Sequence, residues 1–150
     1  MRDDFVLSLD GDGDGADGAP SPSTILLVDD DADMRSLTRT FLEHEGYSVF
    51  TSGDADRAAQ IFSSVPRIDL LITDMYMPGR SGMELAFDMK TMRPNLPILM
   101  ISGGFVDDDV KERLLHESWR FLSKPFRLTE LLAAVHLMLA ECEPKRSRVL

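Results

Sequence analysis

Five short apolar runs along the chain alternate with segments whose apolar residues recur every three or four positions. The runs are Ile25-Leu26-Leu27-Val28, Ser48-Val49-Phe50, Leu70-Leu71-Ile72, Ile98-Leu99-Met100-Ile101 and Trp119–Leu122. Runs that are apolar at every position suit strands buried on both faces, as in a parallel sheet covered by helices. Between the runs, one stripe is clear: Leu128, Leu131, Leu132, Val135, Met138 and Leu139 repeat at three and four, the spacing of one helix face. Shorter stripes fall at Met34, Leu37 and Phe41; at Ala55, Ala58, Ala59 and Phe62; at Leu85, Ala86 and Met89; and at Val110 and Leu114. Five strand–helix repeats predict an α/β fold, a doubly wound five-stranded parallel sheet with helices on both faces and right-handed crossovers. The pattern occupies residues 23–140 and leaves no room for a second domain.

Composition narrows the class. With 150 residues, the chain is long enough to hold one core without covalent staples. A single cysteine, Cys142, permits no internal disulfide, as expected of a reducing compartment. No apolar run approaches the ~20 residues of a membrane span, and the charged start Met1-Arg2-Asp3-Asp4 does not read as a signal peptide. The expectation is a cytoplasmic protein with no membrane association. Its formal charge of −10 argues against phosphate-driven nucleic-acid binding.

Half of that charge sits at the front: residues 1–22 carry six Asp and one Arg, among many glycines, and predict a disordered acidic leader. Asp10, Asp12, Asp14 and Gly15 imitate the start of a calcium loop, but the twelfth position, where a bidentate acid is required, is Ser21. Residues 141–150 are expected to form a short frayed tail.

In doubly wound sheets the reactive crevice lies beyond the carboxyl ends of the strands. The residues delivered there are Asp29, Asp30 and Asp31 after the first run, Asp74 after the third, Ser102 after the fourth and Lys124 after the fifth. Carboxylates held together repel unless a cation or proton intervenes. Magnesium commonly takes one or two carboxylates plus phosphate oxygens. With an ammonium and a hydroxyl beside it, such a set has the parts to hold a phosphoryl group, and a carboxylate can serve as nucleophile. Each residue alone has a plainer reading: an Asp after a strand commonly caps the next helix, and Asp31 fits that role.

The stretches Ile25-Leu-Leu-Val-Asp29-Asp30-Asp31, Leu70-Leu-Ile-Thr-Asp74-Met-Tyr-Met-Pro78-Gly-Arg-Ser-Gly82, Ile98-Leu-Met-Ile-Ser102 and Phe121-Leu-Ser-Lys124-Pro125-Phe126 together resemble the receiver domain of two-component response regulators. The resemblance covers about residues 24 to 140. It implies a flavodoxin-like strand order 2-1-3-4-5 and Asp74 as phosphoacceptor. It also implies Mg2+ held by Asp30 directly, Asp29 mostly through water, Asp74, and the backbone carbonyl of Tyr76. Lys124 and Ser102 would hold phosphoryl oxygens, Phe121 would occupy the aromatic switch position, and the Lys124-Pro125 bond would be cis. Tyr76 and Gly104 fall where the family places its rate-tuning positions.

The implied partners are a histidine kinase or a histidine phosphotransfer protein. A downstream protein would bind the face made by the helix after the fourth strand, the fifth strand and the last helix. A homodimer is left open. Because the chain ends soon after the last helix, the expectation is a stand-alone receiver with no output domain. It would act as a phosphorylation-controlled interaction protein or as a phosphate sink in a relay, with no enzymatic turnover of its own. A Mg2+-dependent aspartyl-phosphate phosphatase of the haloacid dehalogenase type is the rival, but it wants an Asp two residues after the nucleophile, where this chain has Tyr76. Two departures from the family stand out: Gly103-Gly104 follows Ser102 where a small alanine is common, and Glu117-Ser118-Trp119 replaces a run of small residues before the fifth strand.

Overall fold

The structure, a computed structural model, describes residues 22–103, 108, 109, 112 and 119–142. Five strands, β1 (Thr24–Val28), β2 (Ser48–Ser52), β3 (Leu70–Asp74), β4 (Ile98–Ser102) and β5 (Trp119–Ser123), form one sheet in the order β2-β1-β3-β4-β5. Every pair is parallel. This is the order 2-1-3-4-5 that the resemblance implied. The all-apolar runs are its interior: β3 and β4 are buried at all five positions and β1 at four, whereas the edge strands β2 and β5 expose part of their length. An interior strand is covered on both faces and so loses the alternation that marks a half-exposed one.

Residues of β1, β3, β4 and β5 feed two separate cores, one on each face of the sheet. Leu26, Val28, Leu71, Ile98, Met100 and Trp119 pack with α2 (Ala55–Ser64) and α3 (Gly82–Met92) on one face. Ile25, Leu27, Leu70, Ile72, Leu99 and Ile101 pack on the other with α1 (Ala32–His44) and the C-terminal helix α4 (Leu128–Cys142). The expected stripes of α2, α3 and α4 are the buried ones: Ala58 and Phe62, Leu85 and Met89, and Leu131, Val135 and Met138 all face a core.

The stripe expected on α1 is corrected. Leu37 is 54% exposed, while Thr38 and Leu42 are buried. The inward face is set one position further on than Met34, Leu37 and Phe41 suggest. The helix expected around Val110 and Leu114 lies largely outside the described residues; Asp108, Asp109 and Glu112, which are described, are helical and exposed. The leader expected over 1–22 lies outside them up to Ser21, as does the tail beyond Cys142. Helix α4 runs to Cys142, past the boundary expected at Ala140.

Caps fix where the helices start beside the strand ends. Asp31 caps α1, its Oδ1 accepting from the N–H groups of Asp33 and Met34 at 3.0 and 3.1 Å. Of the three consecutive aspartates, the third is therefore occupied by the helix, and the first two remain for the rim. Ser81 and Glu84 form a reciprocal capping box at the start of α3, at 3.1 and 3.0 Å. Among the described residues, no helix is long and apolar enough to cross a membrane.

Candidate functional site

Strand register brings the candidate residues together. Val28 is level with Thr73, so the next residues, Asp29 and Asp74, leave adjacent strands side by side. Asp74 is level with Ile101, one residue before Ser102, and Ser102 is level with Ser123, one residue before Lys124. Strands in a sheet lie about 4.8 Å apart, so these side chains share one rim. The backbone beyond the strands is also tied: the Met75 N–H donates to the Ile101 carbonyl at 2.8 Å, and the Lys124 N–H to the Ser102 carbonyl at 2.8 Å.

Asp74 is the centre of the arrangement and is 5% exposed. The Lys124 ammonium stands 3.2 Å from its Oδ1. Asp29, Asp30 and Asp74 each offer an oxygen, and the three oxygens lie within 4.8 Å of one another. Asp29 is buried, with its Oδ1 accepting from the Asp31 N–H at 2.9 Å, while Asp30 is exposed. Burial pushes the Asp74 carboxyl up to about 7, and the hydrogen bond and charge of Asp29 add to it, against the opposing pull of Lys124. Burial alone would lower the Lys124 pKa, but the carboxylates of Asp74, Asp29 and Asp30 outweigh it and hold the ammonium above its ordinary value.

This donor set fits Mg2+. Three hard carboxylate oxygens lie within reach of one ion, two of them from buried residues, and the charge of Asp29 adds to the burial that raises the Asp74 carboxyl. Next to it, a cleft of about 480 Å³ is lined by Asp31, Met34, Gly103, Lys124, Pro125 and Phe126.

The remaining candidates are placed as follows. Ser102 is buried at the end of β4. Phe121 is half-buried on β5, level with Met100, and packs against the core on the α2–α3 side. The Lys124-Pro125 peptide is cis. Tyr76 is 65% exposed, so its ring is not held by packing. Gly104 lies outside the described residues, as do Glu117 and Ser118. Trp119, expected as the start of a strand and as a departure from the family's small residues, is fully buried and lies tilted against Phe87 at 5.1 Å between ring centroids.

Two contacts escape a reading of the sequence. The first is the close passage of Gly82 over the end of β3: a Cβ there would lie 1.8 Å from the Asp74 carbonyl oxygen. Its one legible sign is a glycine directly after a helix-capping serine. The second joins Arg35 to the backbone of Asp29, and its only sign is an arginine one turn into α1.

Gly103 behaves oppositely to Gly82. A Cβ on Gly103 meets nothing nearer than the Lys124 Cδ, at an ordinary 3.6 Å. Gly103→Ala should therefore fit and stabilise the protein by about 0.5 kcal/mol by narrowing the unfolded ensemble. Urea denaturation measures this; a loss of stability would mean that the loop needs a conformation only glycine adopts.

Comparison with known proteins agrees with the geometry. The model of the response regulator receiver domain matches residues 25–136. The response regulator MprA of Mycobacterium avium is 35% identical over 124 residues, covering 81% of this chain and 53% of that protein. The response regulator SaeR of Staphylococcus epidermidis is 31% identical over 116 residues, covering 77% of this chain and 50% of its own length. The chain thus spans about half the length of these curated relatives. Among solved structures, a CheY-like response regulator receiver domain protein from Methanospirillum hungatei superposes with a TM-score of 0.76 at 26% identity, covering 83% of this chain and 99% of that one.

Proposed function

The chain belongs to the response regulator receiver family, and on that premise we propose that Asp74 accepts a phosphoryl group from the phosphohistidine of a histidine kinase or histidine phosphotransfer protein. The observation that carries this reading is the buried Asp74 carboxylate with the Lys124 ammonium at 3.2 Å and two further carboxylate oxygens within 4.8 Å.

The Mg2+ site consists of the carboxylates of Asp29, Asp30 and Asp74 with the backbone carbonyl of Tyr76. When bound, Mg2+ supplies positive charge that relieves the carboxylate repulsion and screens the incoming phosphoryl oxygens. An ionised Asp74 oxygen attacks phosphorus; the new O–P bond forms as the N–P bond breaks, and the imidazole leaves and takes up a proton from solvent. Lys124 holds one phosphoryl oxygen and the Ser102 hydroxyl donates to another. Their displacement is passed along β4 and β5, where Phe121 sits, so that charge on Asp74 shifts the balance between two conformations that a protein partner distinguishes. The partner's face is the one the resemblance implies, made by the helix after β4, by β5 and by α4. By their place in the family pattern, Tyr76 and Gly104 are the two positions that tune the lifetime of the acyl phosphate.

Incubation with acetyl phosphate and Mg2+, followed by intact-mass measurement, tests the reading. One adduct of about 80 Da, the mass of a phosphoryl group, is expected on a carboxylate. Steady turnover of simple phosphate esters instead would favour a phosphatase and overturn it.

Since a carboxyl held near 7 must lose its proton before it can ligate a hard cation, Mg2+ affinity should fall about tenfold per pH unit below that point and level off above it. Calorimetric titration at about pH 6 and about pH 8 measures this; equal affinities would contradict the raised pKa of Asp74 and leave its place in the site standing.

A further inference from the structure

The first carboxylate of the rim depends on a residue outside it. Strand β1 ends at Val28, so Asp29 lies past the last ladder pair with β3. Its N–H still donates to the Ser52 carbonyl of β2 at 3.1 Å. Within a strand the N–H and C=O of one residue point to the same neighbour, so the Asp29 carbonyl also faces the chain leaving β2. That chain turns away: the Asp54 N–H donates to the Ser52 hydroxyl at 3.2 Å, and the same hydroxyl donates to the Asp54 carbonyl at 2.7 Å. Arg35 fills the gap, with its Nη1 donating to the Asp29 carbonyl at 2.6 Å. The guanidinium lies directly over Gly53, where an added Cβ would stand 3.0 Å from Nη1.

We propose that Arg35 is a positioning residue for the metal-binding carboxylates, acting through the peptide that joins Asp29 to Asp30. This rests on the reading of Asp29, Asp30 and Asp74 as a Mg2+ site. The Asp29 carbonyl, the Asp30 nitrogen and both Cα atoms lie in one rigid plane. A charge-assisted hydrogen bond to that carbonyl fixes the plane, and with it the directions in which both side chains leave the backbone. Without the bond, the plane is free to rotate at the end of a strand, and the two carboxylates no longer converge with Asp74.

The sign of the effect separates this role from plain electrostatics. Arg35 is a positive charge close to a cation site, so as a charge alone it would oppose Mg2+, and its removal would tighten binding. As a positioning residue its removal weakens binding. Arg39, one turn further along α1, lines the same groove of about 220 Å³ with Arg35, Ser36 and Thr51, but pairs with Glu43 at 3.1 Å. It therefore serves as the control for charge.

The test is calorimetric titration of the whole chain with Mg2+ alone, with folding of each variant checked by circular dichroism. Arg35→Ala and Arg35→Gln should bind about tenfold more weakly than the wild type, Arg35→Lys within about threefold, and Arg39→Ala no more weakly than the wild type. Phosphorylation by acetyl phosphate should recover in Arg35→Gln at saturating Mg2+, because the acceptor is intact. Arg35→Gln keeps two of the three stem methylenes, and decides the matter if Arg35→Ala does not fold. Binding by either variant as tight as, or tighter than, the wild type overturns the proposal while leaving the metal site standing. Failure of the wild type itself to bind Mg2+ overturns both.

Discussion

Asp74→Asn is expected to yield no phosphoryl adduct with acetyl phosphate and Mg2+, while the metal-free protein becomes more stable at neutral and alkaline pH. The two effects share a cause. The Asp74 carboxyl is buried beside Asp29, and burial with that neighbour holds it at about 7 in the folded protein, against an ordinary 3.8. Between those values the folded state binds a proton that the unfolded chain has released. Folding stability therefore falls as pH rises from about 4 to about 7, and the deficit is fully present above that range.

The amide of Asp74→Asn resembles the protonated carboxyl at every pH and carries no such deficit. Its advantage should be on the order of 2 kcal/mol near pH 8 once relaxation around the buried group is allowed for, and should vanish toward pH 4. Urea denaturation in a chelator, at the two ends of the range, measures the stability, and intact mass measures the adduct. A variant that still gains a phosphoryl group has its acceptor elsewhere. One no more stable than the wild type at pH 8 contradicts the strain assigned to the acidic cluster.

Gly82→Ala should be the most damaging methyl addition among the described glycines. The added carbon would lie 1.8 Å from the Asp74 carbonyl oxygen and 2.8 Å from its carbonyl carbon. Both are backbone atoms of a fully buried strand, so no side chain can swing aside. The same carbonyl accepts from the Thr73 hydroxyl at 3.0 Å, and the Gly82 N–H donates to the Met75 carbonyl at 2.9 Å, so the contact is tied from both sides. Either α3 lifts away from β3 or the end of β3 moves. Forced overpacking of this kind costs about 3 kcal/mol, which lowers the melting temperature by roughly 10 °C in a domain of this size. Mg2+ binding should weaken as well, because Asp74 is displaced. Thermal denaturation and calorimetry measure both; a variant that melts with the wild type would show that α3 has slack at its first turn.

The sheet was legible because its interior strands are apolar at every position, and only a parallel sheet covered on both faces demands that. The rim was legible for a related reason: a polar residue closing such a run has nowhere to go but the strand end. Asp29 and Ser102 follow their runs directly, and Asp74 and Lys124 come one residue later, after Thr73 and Ser123. The phase of α1 was not. Met34, Leu37 and Phe41 fit one helical face, and Met34, Thr38 and Leu42 fit the next almost as well. Which one turns inward depends on how α1 lies across the sheet, so a short stripe leaves the choice to tertiary packing. Contacts to backbone atoms were equally hidden. Arg35 reaches a carbonyl and Gly82 passes over another, and every residue has a carbonyl, so no residue type marks the partner.

The strand order also governs how the chain must be made. β1 is synthesised first among the strands, yet it lies between β2 and β3, and its first residue is tied to Asp69, 45 positions later. No two neighbouring strands are antiparallel, so none can pair as a hairpin while the rest is still emerging from the ribosome. Ile25-Leu26-Leu27-Val28 must therefore wait, uncovered, for partners that do not yet exist. During that interval it is an apolar strand with two open edges, the kind of segment that chaperones shield and that aggregates when they do not. An arrangement that gathers its carboxylates at one rim obliges the nascent chain to protect its most hydrophobic stretch for longest.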